Sequence, residues 1–97
     1  MLVLFRKVGE SILIEDVRFT VVRVSGEYAE VALAKVSGGA KRVLTLTKNQ
    51  WIEICYNVKV TLISIAGSEG NGDKTRFAFE YPEGVSIVRG EVSDHPP

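Results

Sequence analysis

The ten residues from Val17 to Gly26 (VRFTVVRVSG) align without a gap on the ten from Val58 to Gly67 (VKVTLISIAG). Three positions are identical, and most others exchange aliphatic for aliphatic or Arg for Lys. The match extends outward on both sides. Leu2, Leu4 and Arg6 correspond to Leu44, Leu46 and Lys48, and Ile12 and Ile14 to Ile52 and Ile54. Glu30-Val31-Ala32-Leu33 matches Arg76-Phe77-Ala78-Phe79 if the second hairpin loop is five residues longer. Four strands of this length seldom close a core alone, so two such copies are expected to pack on each other as one body.

The copies read as β-structure. Val, Ile and Thr supply 14, 7 and 5 of the 97 residues, and β-branched side chains favour pleated surfaces over helices. No window carries the i, i+3, i+4, i+7 apolar stripe of an amphipathic helix. Strands are expected at Leu2–Arg6, Ser11–Ile14, Val17–Val24 and Tyr28–Ala34, then at Leu44–Lys48, Trp51–Tyr56, Val58–Ile65, Thr75–Glu80 and Val85–Arg89. Ser25-Gly26 is a tight hairpin signal, and the Gly-rich stretch Ala66 to Asp73 is a polar hairpin loop. The expected organisation is one domain, 1–97, with a first repeat at 1–36, a junction at 37–42, a second repeat at 43–92 and a tail at 93–97. The fold class is all-β, the two repeats closing one small β-sandwich or barrel-like body.

Twelve Lys plus Arg balance twelve Asp plus Glu, which excludes a nucleic-acid binder working through an extended basic face. A local basic site remains compatible with that balance. No apolar run approaches the ~20 residues of a membrane helix, and the opening residues lack the layout of a signal peptide. Cys55 is the single cysteine, so no intrachain disulfide can form, and a cytoplasmic location is expected.

The opening, Met1-Leu2-Val3-Leu4-Phe5-Arg6-Lys7-Val8-Gly9-Glu10-Ser11-Ile12, resembles the start of the carbon storage regulator (CsrA/RsmA) family. There an apolar-basic first strand runs through a Gly-Glu turn into an Ile-x-Ile second strand. The Val24-Ser25-Gly26 hairpin is similar to the turn between that family's third and fourth strands. Tyr81-Pro82-Glu83-Gly84-Val85-Ser86-Ile87-Val88-Arg89-Gly90-Glu91 is similar to its last strand, Ala-Pro-x-x-Val-x-Val-x-Arg-x-Glu, forty-odd residues later than one unit would place it. The resemblance implies a β-protein that binds messenger RNA at single-stranded GGA hairpin loops and regulates translation. Its members are homodimers that exchange strands, each RNA site pairing one subunit's first strand with the other's fifth. Here the first half has a good first strand and no credible fifth, and the second half has the reverse. The chain therefore reads as two fused CsrA-like units, a monomeric pseudo-dimer, with a homodimer as the other arrangement. Leu2–Lys7 would lie beside Val85–Arg89 and complete one composite site.

On that resemblance the RNA-binding residues are Leu4, Phe5, Arg6, Lys7, Pro82, Ile87, Val88 and Arg89. Arg6 and Arg89 offer the planar donor fork that suits a guanine edge or a phosphate. Lys7 would hold a phosphate, Leu4 an apolar contact, and the Ile87-Val88 backbone and Pro82 turn a base edge. Phe5, Glu83 and Gly90 depart from the family pattern, Glu83 placing negative charge near incoming phosphate. Gly90, with two prolines after it, leaves the family's C-terminal helix truncated or absent. The other reading is a protein-interaction module of the same fold without RNA binding, and a protein antagonist is a possible partner by resemblance. Trp51 is expected in the core between repeats. His95 in its proline-terminated tail and Cys55 with no local basic partner support neither catalysis nor a metal site, and no cofactor is implied.

Overall fold

A computed structural model of the chain describes residues 1–66 and 74–89. Nine strands, all at expected places, and no helix are found among them. They are β1 (Leu2–Arg6), β2 (Ser11–Ile14), β3 (Val17–Val24), β4 (Tyr28–Lys35), β5 (Arg42–Thr47), β6 (Ile52–Cys55), β7 (Val58–Ala66), β8 (Lys74–Glu80) and β9 (Ile87–Arg89). Ala66, expected to open the Gly-rich loop, instead ends β7; the rest of that loop, the expectation of a truncated or absent C-terminal helix and the tail with His95 fall outside the described residues.

Two antiparallel sheets result, one of five strands in the order β5-β4-β3-β2-β9 and one of four in the order β1-β8-β7-β6. Hairpins account for the middle of each sheet, where β2, β3 and β4, and likewise β6, β7 and β8, follow one another. The outer strands cross over. β1 pairs with β8 of the later half, while β5 and β9 of the later half pair with β4 and β2 of the earlier one. Neither half therefore completes a sheet from its own strands.

Alternation, broken by a bulge in β3 and another in β7, places the core between the sheets. Ile12, Ile14, Phe19, Val21, Val31, Leu33 and Leu46 face inward from one sheet, and Val58, Val60, Leu62, Phe77 and Phe79 from the other. Burying each such aliphatic or aromatic side chain stabilises the fold by about 1.5–3 kcal/mol. Phe19 sits at the centre, edge-on to Phe77 (5.5 Å, 83°) and Phe79 (5.6 Å, 72°). Such T-shaped contacts let the positive ring edge meet the negative face of its neighbour.

The aligned segments also share their irregularities. A register shift falls between Val21 and Arg23 in β3, and another between Leu62 and Ser64 in β7, the same offset that aligns Val17 with Val58. At that offset Glu15 (φ 55°) and Tyr56 (φ 50°) both take the left-handed conformation in the turns before β3 and β7. The Tyr56 hydroxyl donates to the Asp16 carboxylate, tying these two turns together.

Three expectations are corrected. Trp51 is 41% exposed, because it lies ahead of β6 beyond the left-handed Asn49 and never enters the inward row. β5 starts at Arg42 rather than Leu44, since pairing with β4 continues to Leu33. β9 is shorter than expected, because the Val85 amide donates to the Pro82 carbonyl (3.3 Å) and completes a turn.

Candidate nucleic-acid interface

β1 and β9 are edge strands of different sheets, so they do not pair as adjacent ribbons; β2 links them. The alternation of β1 sets which side chains look inward. Leu2, Leu4 and Arg6 stand opposite Phe79, Phe77 and Thr75, all buried, whereas Val3 and Phe5 face outward. In β9, Arg89 and Ile87 stand opposite the buried Ile12 and Ile14, and Val88 opposite Leu13 on the outer face. Cross-strand partners project from the same side of a sheet. Arg6 and Arg89 are thus both carried on the inward-facing rows of their edges, at the mouth between the sheets.

Arg6 is only 6% exposed. Its Nε donates to the Phe5 carbonyl (2.6 Å) and its Nη1 to the Ser11 carbonyl (3.3 Å), and Nε lies 3.8 Å from Glu10 Oε1. Glu10 Oε1 also accepts from the Lys7 amide at 2.8 Å, which fixes the β1–β2 turn. A buried guanidinium held this way is a structural strut as well as a charge, since removing it would take a donor from the Phe5 and Ser11 carbonyls. Ser11 precedes Ile12, the partner of Arg89, so the Arg6 guanidinium lies within roughly 12 Å of the Arg89 backbone.

Ser11 gathers more charge than the sequence pattern indicates. Arg18 Nη1 donates to the Ser11 hydroxyl at 2.9 Å. Arg76, opposite Phe5 in the β1–β8 pair, sets its guanidinium 4.7 Å from the centre of the Phe5 ring. Among the described residues Arg76 Nε is buried with no hydrogen-bond partner. Strand pairing across the halves brings Arg76 to Phe5, and period-2 alternation in β3 could have flagged Arg18, which immediately precedes the inward Phe19 and so falls on the outer row.

The remaining expected site residues are spread along β1, β9 and their turns. Lys7 is exposed in the β1–β2 turn, Phe5 is 48% exposed, and Leu4 is half-buried. Pro82 and Glu83 are exposed in the turn that delivers β9, where Gly84 has φ 94°, a conformation open to glycine. The Glu15 amide donates to the Ser86 carbonyl (3.0 Å), and Glu15 Oε2 accepts from the Ser86 amide (2.5 Å), clamping the strand to β2. Arg6, Lys7, Arg18, Arg76 and Arg89 all lie on β1 and β2, on the turn between them or on strands paired with them, interspersed with Glu10 and Glu15.

Chemistry of other kinds finds no cluster here. Among the described residues no three His, Cys, Asp or Glu side chains are grouped to hold a metal ion. Burial pushes the Cys55 thiol above its ordinary value, with the Asp16 carboxylate adding to the effect, so it is protonated at neutral pH. No helix among the described residues is long and apolar enough to cross a membrane. In comparisons with known proteins, no family model, no curated protein and no solved structure matches the chain.

Proposed function

We propose that this protein binds single-stranded RNA loops of the GGA type in messenger RNA and regulates translation, through one composite site built from β1, the start of β2 and β9. In this reading the chain is two fused units of the carbon storage regulator type, acting in the cytoplasm as a monomeric pseudo-dimer. The observation that carries it is the crossed strand order. β1 completes the sheet of the later half and β9 that of the earlier half, with Arg6 bonded to Ser11 and Arg89 opposite Ile12. The shared bulges and left-handed turns support the duplication.

The division of labour follows from exposure. Arg89 and Lys7, exposed at the two sides of the site, meet guanine edges or phosphate. Phe5 offers a stacking face backed by Arg76, whose cation strengthens the ring as a platform from the opposite side. Val88 and the outer edge of β9 supply backbone groups to base edges. Arg6 positions the β1–β2 turn and adds its field from within.

A mobility-shift titration of a GGA hairpin against a scrambled loop tests the reading. Arg89→Ala should weaken binding by at least about tenfold, as loss of a good bidentate contact would. With two or three phosphates neutralised, log K should fall with log salt at a slope of roughly −1.4 to −2. Equal affinity for the scrambled loop would reject RNA recognition and favour the protein-interaction reading, to which the seclusion of Arg6 lends support.

A further inference from the structure

The two halves differ at one place. The outer edge of β2 carries β9, with Ile87 opposite Ile14 and both Val85 and Ile87 packed on the core. The corresponding strand of the later half, β6, ends its sheet, and among the described residues no strand pairs with its outer edge. Beside that edge lies an open cleft of about 170 Å³, lined by Val17, Leu33, Ile54 and Cys55 with Lys35 and Arg42 at its rim. After Lys35 the chain runs Val-Ser-Gly-Gly-Ala, of which Ala40 borders the cleft, and supplies no apolar-x-apolar strand to fill it.

We propose that the β6 edge and this cleft dock an extended segment of a partner protein, one that sets two aliphatic side chains two residues apart and carries acidic residues at its ends. The backbone of β6 offers a row of donors and acceptors for strand addition. The segment leading into β9 displays the fitting chemistry on the matching edge: Val85 in the turn and Ile87 in the strand both rest on the core, and backbone bonds hold the strand. The volume falls below the ~300–1,000 Å³ of small-molecule sites, so side chains fit the cleft better than a metabolite.

Charge selects the ends of the segment. Lys35 and Arg42 are exposed at the rim; the Asp16 carboxylate, bonded by the Tyr56 hydroxyl, stays charged and interacts with Lys35, leaving Arg42 as the second cation of the rim. Glu53 is turned to the outer face, in the row of Lys59. A second copy of this chain is a poor occupant, because donating its β9 would bare its own β2 edge and gain nothing. The proposal goes beyond RNA binding and stands without it, since it uses β6, the edge of its sheet away from β1.

The test uses the full chain, labelled with nitrogen-15, and the capped peptide Glu-Glu-Gly-Val-Ser-Ile-Val-Glu. Saturable one-to-one binding is expected, with amide shifts centred on residues 53–55, 33–35 and 42. A peptide with Asp in place of the central Val and Ile should bind at least about tenfold more weakly, from the loss of two buried aliphatic groups. Arg42→Glu, on an exposed position, should weaken the peptide several-fold without changing the melting temperature. Absence of saturation, shifts centred on residues 12–14 and 87–89, displacement by a GGA hairpin, or self-association that closes the edge would each overturn the proposal. None of these results depends on whether Arg89→Ala alters RNA affinity, so the two readings fail separately.

Discussion

Phe19 is the residue on which both sheets converge, and truncating it measures how far they share one core. Its ring is fully buried and meets Phe77 and Phe79 of the opposite sheet edge-on at 5.5 and 5.6 Å. Phe19→Ala should cost about 3–5 kcal/mol, the transfer of the ring plus a cavity that β-sheets cannot fully close. At roughly 4–8 °C per kcal/mol for a domain of this size, the melting temperature should fall by more than about 12 °C. Total stability of such a domain is about 5–15 kcal/mol, so Phe19→Leu, at about 1–2 kcal/mol, provides a variant that stays folded. The aligned residue in β7 is Val60, also fully buried, and Val60→Ala should cost only about 2 kcal/mol. Urea denaturation followed by Trp51 fluorescence gives these values. A double-mutant cycle between Phe19 and Phe77 should return a coupling of about 0.5–1.5 kcal/mol. A loss below about 1 kcal/mol for Phe19→Ala, or no coupling to Phe77, would show that the sheets do not close on this ring.

Other perturbations separate structure from binding. Arg6→Lys should lower stability by about 1–3 kcal/mol, because an ammonium cannot reach the Phe5 and Ser11 carbonyls as a fork does, whereas Arg89→Ala should change it by less than about 0.5 kcal/mol. Gly84→Ala forces a side chain into φ 94° and should cost about 1–3 kcal/mol, with faster amide exchange confined to β9 in hydrogen-exchange measurements. The Tyr56 hydroxyl holds the Asp16 carboxyl below its ordinary 3.8, so that contribution is present above about pH 4 and is lost as pH falls through the lower folded value. The same bond holds the Tyr56 phenol above its ordinary 10.0, so its contribution is present below pH 10 and is lost as pH rises through the higher folded value. Tyr56→Phe should therefore flatten both limbs of a stability-versus-pH curve, and an unchanged acid limb would contradict the pairing.

Much of the strand pattern was legible because it is local. β-branched runs such as Val17–Val24 and turn residues such as Ser25-Gly26 fix strands without reference to partners. Ends were less legible where pairing decides them, as at Arg42, drawn into β5 by Leu33, and at Val85, held in the Pro82 turn. Arg6 reads as a surface residue from its type, yet it shares the inward row with Leu2 and Leu4, and alternation carried one step further would have buried it. Trp51 misled in the opposite direction, because ring size argues for burial while the left-handed Asn49 turn sets it at the rim. Arg76 could not be placed from propensity at all, since its approach to Phe5 depends on β1 crossing to the sheet of the other half.

The central claim is a single RNA site spanning β1, the start of β2 and β9, the strand paired with β2. Calorimetric titration of the intact chain with a GGA hairpin measures it directly. The account predicts one site per chain, lost with Arg89→Ala while the melting temperature holds. Two equivalent sites, or heat indistinguishable from that of a scrambled loop, would contradict it.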